Sequence, residues 1–185
     1  MANTFTQVYV QIVFAVEWRQ SLIRPEHKEE IHKYITGIVQ NKEQKLIEIN
    51  TMPDHLHMLV GLKPDMAISD LAREVKKAST IFINQRGFIR GRFNWQGGFG
   101  AFSYSHSHLD AVISYIRNQD SHHRATSFKK EYMTLLRKFD IAFEPKYVFD
   151  FPECTDFVEG QADISPRWGE AGGGRCFYKH ITPLG

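Results

Sequence analysis

The order in which two apolar periodicities alternate along the chain places the strongest constraint on its fold. Residues 5–16, FTQVYVQIVFAV, carry apolar side chains at every second position, which is typical of a half-buried β-strand. Residues 24–42 follow with Ile31, Ile35 and Val39 at helical spacing. Because a strand and a helix bury different sets of positions, these patterns predict a strand followed by a helix.

The alternation of strand and helix patterns continues to residue 139. The further predicted elements are two strands joined around Pro53, a helix, a fourth strand and two more helices, at residues 44–52, 55–62, 69–85, 101–105, 108–123 and 128–139. Their predicted caps are Ser69 or Asp70, Ser107 and Ser127. The order β-α-β-β-α-β-α, with one more helix, predicts an α+β fold, a ferredoxin-like sandwich with helices packed on an antiparallel sheet.

Regular patterning ends near residue 151. We therefore expect one domain over residues 1–151 and an irregular C-terminal tail over residues 152–185, where both cysteines lie. The chain has no stretch of about 20 apolar residues and no basic start followed by an apolar run. We therefore expect a soluble, cytoplasmic protein with reduced thiols and no membrane partner. The net charge of +2 neither requires nor excludes a nucleic-acid partner.

Two histidines interrupt an apolar strand in the segment MPDHLHMLV, residues 52–60. His55 and His57 are two residues apart, so they project from the same face of the strand, while Leu56 and Met58 point to the opposite face and can enter the core. Two imidazoles at this spacing can converge on one metal ion. The same pattern also occurs in surface or hydrogen-bonded histidines, so the pair alone does not establish a metal site.

A second candidate pair lies on the helix that follows the fourth strand. Tyr115 and Gln119 are four residues apart and therefore share one helical face. A tyrosine hydroxyl can attack phosphorus, and an amide carbonyl one turn away can complete a metal site. The spacing alone favours the simpler interpretation, in which Tyr115 packs on the sheet and Gln119 is solvated.

Taken together, these segments resemble the single-tyrosine transposases of the insertion-sequence 200/605 group and their REP-associated relatives. MPDHLHMLV resembles the His-hydrophobic-His (HUH) motif of that family, and YIRNQ resembles its tyrosine helix. WQGGFGAFSYS and SDLAREVKKASTIFIN resemble the segment before that helix and the family's central helix. The likeness spans about residues 5–151. One departure is Gln11, near a position in the first strand where many relatives carry a histidine.

The resemblance implies a dimeric ferredoxin-like enzyme that cleaves and rejoins single-stranded DNA at hairpin-bearing element ends. It implies that His55, His57 and Gln119 bind Mg²⁺ or Mn²⁺, and that Tyr115 is the nucleophile that forms a 5′-phosphotyrosine. It also implies that the active site of a homodimer can be shared between chains, which leaves open whether the tyrosine acts in cis or in trans. Imidazole ligands suit Mn²⁺ better than Mg²⁺, which prefers oxygen.

Basic residues on the central helix and the glycine-rich segment predict a DNA-binding surface. Cations can meet phosphates while aromatic rings stack on unpaired bases. The helix charges are equally compatible with an ordinary solvated face. The predicted DNA-binding residues are Arg73, Lys76, Lys77, Arg86, Arg90, Arg92 and Trp95.

Three other functions compete with transposition. A related HUH nickase for replication or mobilisation would share the histidine pair, but such proteins are usually larger. A domesticated DNA or RNA hairpin-binding protein would bind without strand transfer, although the presence of Tyr115 together with His55, His57 and Gln119 argues against that reading. A zinc hydrolase is the weakest alternative, because the sequence has no HExxH motif and no cysteine-rich cluster.

Overall fold

A computed structural model describes residues 5–19, 22–144 and 148 of the 185-residue chain. Short 3-10 turns at Glu17–Arg19 and His106–His108 accompany nine longer elements. These are β1 Val8–Ala15, α1 Pro25–Asn41, β2 Lys45–Thr51, β3 His55–Leu62, α2 Ile68–Arg86, β4 Gly100–Tyr104, α3 Leu109–Arg117, α4 Gln119–His122 and α5 Phe128–Lys138. The predicted boundary at residue 151 and the tail 152–185 lie outside the described residues and stay predictions.

The four strands form one antiparallel sheet in the order β2-β3-β1-β4. Strand β1 is central, and Ile12 lies opposite Met58 of β3 and Ala101 of β4. The hairpin predicted around Pro53 is present as β2 and β3. This arrangement confirms the predicted α+β fold with a ferredoxin-like sheet and helices packed on it.

One face of the sheet is covered by α1 and α2 and is apolar. Alternate residues of β1 and β3, among them Phe14 and Met58, pack there against Ile35 of α1 and Val75 of α2. Every second position on these strands is apolar, and this period brings all of them to the same side. The alternation read from the sequence is thus the pattern of this core.

The opposite face is covered by the helices after β4. Val13, Ala15 and Phe102 of the sheet pack against Phe128 and other residues of α5. Leu59 of β3 packs against α3 in a smaller cluster. This face also buries polar residues completely, because Gln11, His55 and His57 are each 0% exposed. The candidate site lies here.

The helix ends differ in part from the predictions. Helix α2 begins at Ile68 after Ala67 without a side-chain cap, so the predicted caps Ser69 and Asp70 are wrong. Asp70 instead pairs with Arg73 at 2.8 Å. Ser107 is also not a cap, because it lies within a 3-10 turn before α3. The prediction for Ser127 is confirmed, since its side chain accepts a hydrogen bond from the Lys130 backbone N–H.

The helix predicted over residues 108–123 is interrupted at Asn118. Helix α3 ends at Arg117 and α4 begins at Gln119. The Asn118 side chain donates to the Ser114 carbonyl oxygen at 2.8 Å, and asparagine side chains compete in this way with regular helical hydrogen bonds. Gln119 therefore stands at the start of a new short helix. No helix in the described part of the chain is long and apolar enough to cross a bilayer.

Candidate active site

The two histidines of β3 lie on the sheet face covered by α3–α5. Both rings are fully buried, and their centroids are 5.1 Å apart. His55 Nδ1 is 2.7 Å from Asp54 Oδ1, and His57 Nδ1 is 2.9 Å from the Gln11 side-chain amide. Because these contacts occupy Nδ1 of each ring, the two Nε2 atoms are left to face the space between the sheet and α5. The alternation predicted for this strand is confirmed.

Glu131 of α5 stands opposite the histidines. Its side chain is 2% exposed, and its Oε1 atom lies 3.6 Å from His57 Nε2. The same oxygen accepts a hydrogen bond from the Tyr115 hydroxyl and another, of 2.9 Å, from the Gln119 amide. Its Oε2 atom lies 3.9 Å from His55 Nε2. One buried carboxylate therefore contacts or faces all four residues that were predicted as catalytic or metal-binding.

His123, directly after α4, adds a third imidazole. Its Nε2 atom is 2.9 Å from Glu131 Oε2, close enough for an ion pair although the atoms are not aligned for a hydrogen bond. Its ring centroid is 4.6 Å from that of His55. His122 is more peripheral, with Nε2 3.9 Å from Glu131 Oε1 and a partly exposed side chain. The cluster thus gathers groups from β3, α3, the α4 region and α5.

The tyrosine belongs to this cluster within a single chain. The Tyr115 ring lies 5.9 Å from the His57 ring and nearly perpendicular to it. Helix α3 is held on its own sheet by Ile116 and Val112, which pack on Leu59, and by Asn50 of β2, which donates to the Ile116 carbonyl at 2.7 Å. The phenol and the histidine pair of one chain therefore lie side by side.

The arrangement fits the divalent ion that the resemblance implies. Atoms bound to one ion at about 2.0–2.2 Å lie about 3–4.5 Å from one another. One atom each from His55, His57, His123 and Glu131 lies within 4.8 Å of the others. The buried atoms His55 Nε2, His57 Nε2 and Gln119 Oε1 have no hydrogen-bond partner among the described residues. Buried polar atoms normally have a partner, so these atoms are placed as ligands would be.

Burial and charge set the protonation states in the cluster. Burial lowers the pKa of His55 to about 4, outweighing its hydrogen bond with Asp54, so the ring is neutral at pH 7. Burial and the adjacent Glu131 charge raise the pKa of the Tyr115 phenol far above its ordinary value. Burial opposes ionisation of Glu131, but contacts with the surrounding rings outweigh it and hold the pKa of that carboxyl well below its usual range.

A cavity of about 390 Å³ opens beside Tyr115, between α3 and α5. Its wall is largely apolar, with Val112 on α3 and Leu135 on α5, and Lys130 and Lys138 also line it. The cavity reaches both the Tyr115 ring and Glu131. A substrate group can therefore approach the phenol from this side while cations stand close by.

The predicted DNA-binding residues occupy different environments. Arg73, Lys77, Arg90 and Arg92 are exposed on α2 or on the segment that follows it. Arg86 is also exposed but pairs with Glu30 of α1. These residues lie on or near the α2 side of the molecule rather than in the histidine cluster. A hollow beside α2 is lined by Arg73, Lys76, Lys77 and neighbouring residues of the glycine-rich segment.

Two of these residues are integrated into the fold. The Lys76 ammonium donates to the carbonyl oxygens of Gln96 and Gly98, and so fastens the glycine-rich segment to α2. Trp95 is 7% exposed, and its indole N–H donates to Ser79 at 2.8 Å. Its ring packs edge-on against Phe14. The base-stacking role predicted for Trp95 does not fit this position, because its faces are covered by core residues.

Sequence reasoning missed Glu131 and His123. A signal for Glu131 existed, because it stands four residues before Leu135 and therefore on the buried face of α5. His123 gave no comparable signal, since the interruption at Asn118 changes the direction of the chain. Gln11 was noted only as a departure from relatives, yet it links His57 to the Tyr104 hydroxyl, which donates to Gln11 Oε1 at 2.9 Å.

Comparison with known proteins places the chain in a family. The family model described as "Transposase IS200 like" matches residues 4–119. The transposase for insertion sequence element IS200 of Salmonella typhimurium is 24% identical over 94 residues, which are 50% of this chain and 62% of that protein. The ISDra2 transposase TnpA of Deinococcus radiodurans is 26% identical over 118 residues, 61% of this chain and 84% of that protein.

A solved structure of similar fold supports the architecture. The REP-associated tyrosine transposase bound to a REP hairpin superposes with a TM-score of 0.51 at 16% identity, over 89% of this chain and 98% of that one. The chain spans 62% of the length of the Salmonella relatives. The match over residues 4–119 covers more than half of the chain and contains the histidine pair, Tyr115 and Gln119. The chain therefore belongs to the family of IS200-like transposases.

Proposed function

We propose that this protein is a transposase that cleaves and rejoins single-stranded DNA through a covalent bond to Tyr115. The observation that carries the proposal is the half-buried Tyr115 hydroxyl, which lies beside a histidine pair and donates a hydrogen bond to a carboxylate in the same cluster. The family membership supports the same chemistry. The proposed site consists of Tyr115 as nucleophile and His55, His57 and Gln119 as ligands of a divalent cation.

In the proposed reaction, Tyr115 Oη attacks a phosphodiester phosphorus in line with the 3′ oxygen. A bond forms between Oη and phosphorus, and the bond between phosphorus and the 3′ oxygen breaks. The products are a 5′-phosphotyrosine and a free 3′-hydroxyl. Attack by a 3′-hydroxyl on the phosphotyrosine reverses these bond changes and rejoins the strand, so no external energy source is needed.

The phenol proton has a defined acceptor in this proposal. The raised pKa of Tyr115 keeps the phenol protonated at rest, and Glu131 Oε1 already accepts its hydrogen bond. Because the pKa of Glu131 is low, this carboxylate takes the proton only as the bond to phosphorus forms. The leaving 3′ oxygen takes up one proton from solvent, and Glu131 afterwards releases the phenol proton to solvent, so the step is balanced.

His55, His57 and Gln119 would hold Mg²⁺ or Mn²⁺. When bound, the ion would act as a Lewis acid that neutralises charge developing on the phosphoryl oxygens. The protein's own contribution is orientation: Asp54 and Gln11 fix the two rings through Nδ1, and Glu131 fixes the Gln119 amide. The buried setting excludes bulk water from the two imidazoles.

The proposed substrate is a single-stranded DNA hairpin. Support comes from the exposed cations Arg73, Lys77, Arg90 and Arg92, which can bind phosphates without sequence preference. One protein of similar fold is a transposase bound to a REP hairpin. The hollow beside α2 is the proposed contact surface, with Lys76 holding its wall in place.

We propose that the tyrosine acts in cis. Support comes from Tyr115, which bonds to Glu131 of its own chain. The predicted homodimer stays a prediction, and light scattering at micromolar concentration tests it. Mixing a Tyr115→Phe chain with a His57→Asn chain tests whether two chains share one active site. If each tyrosine acts in its own chain, the mixture stays inactive. If the tyrosine acts in the site of the partner chain, the mixture regains activity.

The principal experiment is an adduct assay with a labelled single-stranded DNA hairpin and Mn²⁺. We expect a covalent protein–DNA species that disappears on chelation and in Tyr115→Phe. Tyr34→Phe is the matched control, because Tyr34 lies on α1 and stacks on Phe82 at 4.0 Å, away from the cluster. An adduct that survives Tyr115→Phe would overturn the nucleophile, and hairpin binding without any adduct would favour a domesticated binding protein.

A further inference from the structure

We infer that Glu131 and His123 are themselves ligands of the divalent ion, completing with His55, His57 and Gln119 a site of three imidazoles, one amide oxygen and one carboxylate. Both residues lie beyond residues 4–119, the segment that matches the family. The inference rests on the metal site of the proposed function and adds two ligands to it. It also makes α5 a part of the active site rather than a structural cover.

The first observation is geometric. Glu131 Oε2 lies 2.9 Å from His123 Nε2 and 3.9 Å from His55 Nε2, while Oε1 lies 3.6 Å from His57 Nε2. The candidate ligand atoms all lie within 4.8 Å of one another. These separations match atoms arranged around one ion, and the two longer ones exceed the range of a hydrogen bond.

The second observation is the absence of hydrogen-bond partners. Six buried side-chain polar atoms lack a partner in the described part of the chain, and five of them belong to this cluster. His123 Nε2 and Glu131 Oε2 are two of the five, and they form the 2.9 Å ion pair with each other. Buried polar atoms without partners are costly, and their concentration at one point indicates that they share a ligand. A single cation satisfies all of them together.

The third observation concerns Nδ1, the second ring nitrogen of each β3 histidine. His55 is held by Asp54 and His57 by Gln11, each through Nδ1. Histidines that bind metals are usually oriented in this way, with one nitrogen fixed by the protein and the other on the ion. The two histidines of β3 therefore leave Nε2 for an ion that His123 and Glu131 can also reach.

The carboxylate divides its two oxygens between two tasks. Oε1 accepts the hydrogen bonds of Tyr115 and Gln119, and Oε2 faces the nitrogens of His55 and His123. Glu131 can therefore bind the ion through Oε2 while Oε1 remains beside the phenol. This geometry couples the position of the nucleophile to the ion through one side chain.

The ligand set determines which ions bind well. Three imidazoles with one carboxylate and one amide oxygen suit Mn²⁺, Co²⁺ or Zn²⁺, whereas Mg²⁺ prefers oxygen ligands and keeps several waters. We expect the full chain, freed of metal with a chelator, to bind Mn²⁺ at least tenfold more tightly than Mg²⁺. Isothermal titration calorimetry without DNA measures both affinities, and the visible absorption of Co²⁺ reports the ligand field directly.

The deciding variants are Glu131→Gln and His123→Asn. We expect each to weaken Mn²⁺ binding at least tenfold and to change the Co²⁺ spectrum, whereas the matched control Glu29→Gln, on the exposed surface of α1, leaves both unchanged. Circular dichroism checks folding. Glu131→Asp keeps the carboxylate on a shorter side chain, so we expect its Mn²⁺ affinity to lie between those of wild type and Glu131→Gln. If Glu131→Gln does not fold, Glu131→Asp and His123→Asn decide the question.

The outcomes separate this inference from the proposed function. Mn²⁺ affinity within twofold of wild type in Glu131→Gln and His123→Asn, together with lost binding in His57→Asn, would overturn the added ligands and leave the histidine-pair site intact. Mn²⁺ affinity unchanged in His57→Asn would remove the metal site as a whole. Tyr115→Phe, expected to bind Mn²⁺ normally but to form no adduct, tests the nucleophile independently of either result.

Discussion

The two faces of the sheet use the same strands for opposite purposes. On the side of α1 and α2, Leu56, Met58 and Val60 of β3 are buried among aliphatic and aromatic side chains. On the side of α3–α5, His55 and His57 of the same strand are buried among a carboxylate, an amide and a phenol. Neighbouring residues along one strand therefore belong either to a dry core or to a polar cluster.

This difference between the two faces indicates which of them stabilises the fold. Apolar burial contributes roughly 25 cal/mol per Å², whereas buried polar groups without partners cost free energy. The α1–α2 face must therefore offset the cost of the polar face. It also keeps β3 and β1 fixed, so that the histidines cannot turn toward water.

The largest expected effect comes from removing an imidazole on the polar face. We expect His57→Asn to reduce adduct formation roughly 100-fold or more, because a proposed metal ligand and the Gln11 contact are lost together. The free energy of unfolding should change much less. The adduct assay and urea denaturation measure the two quantities, and full adduct formation in this variant would contradict the division of roles between the faces.

Met58, the next residue on β3, faces the apolar side and should show the reverse pattern, a large loss of stability with little loss of chemistry. We expect Met58→Ala to lower the free energy of unfolding by about 2–5 kcal/mol, because Met58 is fully buried in the larger core cluster. Adduct formation per folded molecule should remain. Chemical denaturation gives the stability, and the adduct assay is run well below the unfolding temperature of the variant. A selective loss of chemistry in a stable Met58→Ala protein would break the comparison.

A third test uses His32, a half-buried imidazole that lies outside the cluster. His32 of α1 lies 2.9 Å from Thr51, and burial lowers its pKa from 6.5 to about 4. The unfolded chain therefore binds the proton more readily, so this contribution to stability is present above pH 6.5 and is lost as the pH falls toward 4. We expect the loss to be about 2–3 kcal/mol at most. His32→Gln should flatten the stability profile between pH 4 and 6.5 in denaturation measurements.

The smallest effect concerns the exposed surface. Lys77 is exposed on α2, and among the described residues it has no ion-pair partner. We expect Lys77→Ala to weaken hairpin binding only a few-fold and to reduce the salt slope by about one, with a change in stability below about 0.5 kcal/mol. Lys76→Ala is the informative companion, because loss of its contacts to Gln96 and Gly98 should also lower stability. Binding titrations at several salt concentrations measure the slope.

Most of the fold could be predicted from periodicity. The alternation on β1 and β3 reflects a sheet with one apolar face, because side chains at every second position point to that face and are buried there. Helix ends were less predictable, since Ser69 and Ser107 are good caps that the backbone does not use. The interruption at Asn118 depends on one side-chain hydrogen bond, which no periodicity reveals.

The site could be predicted only in part. The resemblance supplied His55, His57, Tyr115 and Gln119, all of which the fold brings together. Glu131 was missed although its spacing to Leu135 placed it on the buried face of α5, because a glutamate is normally exposed and its burial depends on how α5 packs on the sheet. For Trp95 the exposure was overestimated. A tryptophan among glycines and arginines suggested an exposed ring, but the segment folds back and places the ring in the core.

Helix α5 has a practical consequence for anyone who expresses a shortened form of this protein. A fragment that ends at residue 119, where the family match ends, would retain both histidines and the tyrosine. It would lose Phe128, Leu135 and Glu131, leaving Val13 and Phe102 uncovered and the imidazoles open to water. Such a fragment would misrepresent the chemistry of the whole chain, so recombinant boundaries should extend at least through Lys138.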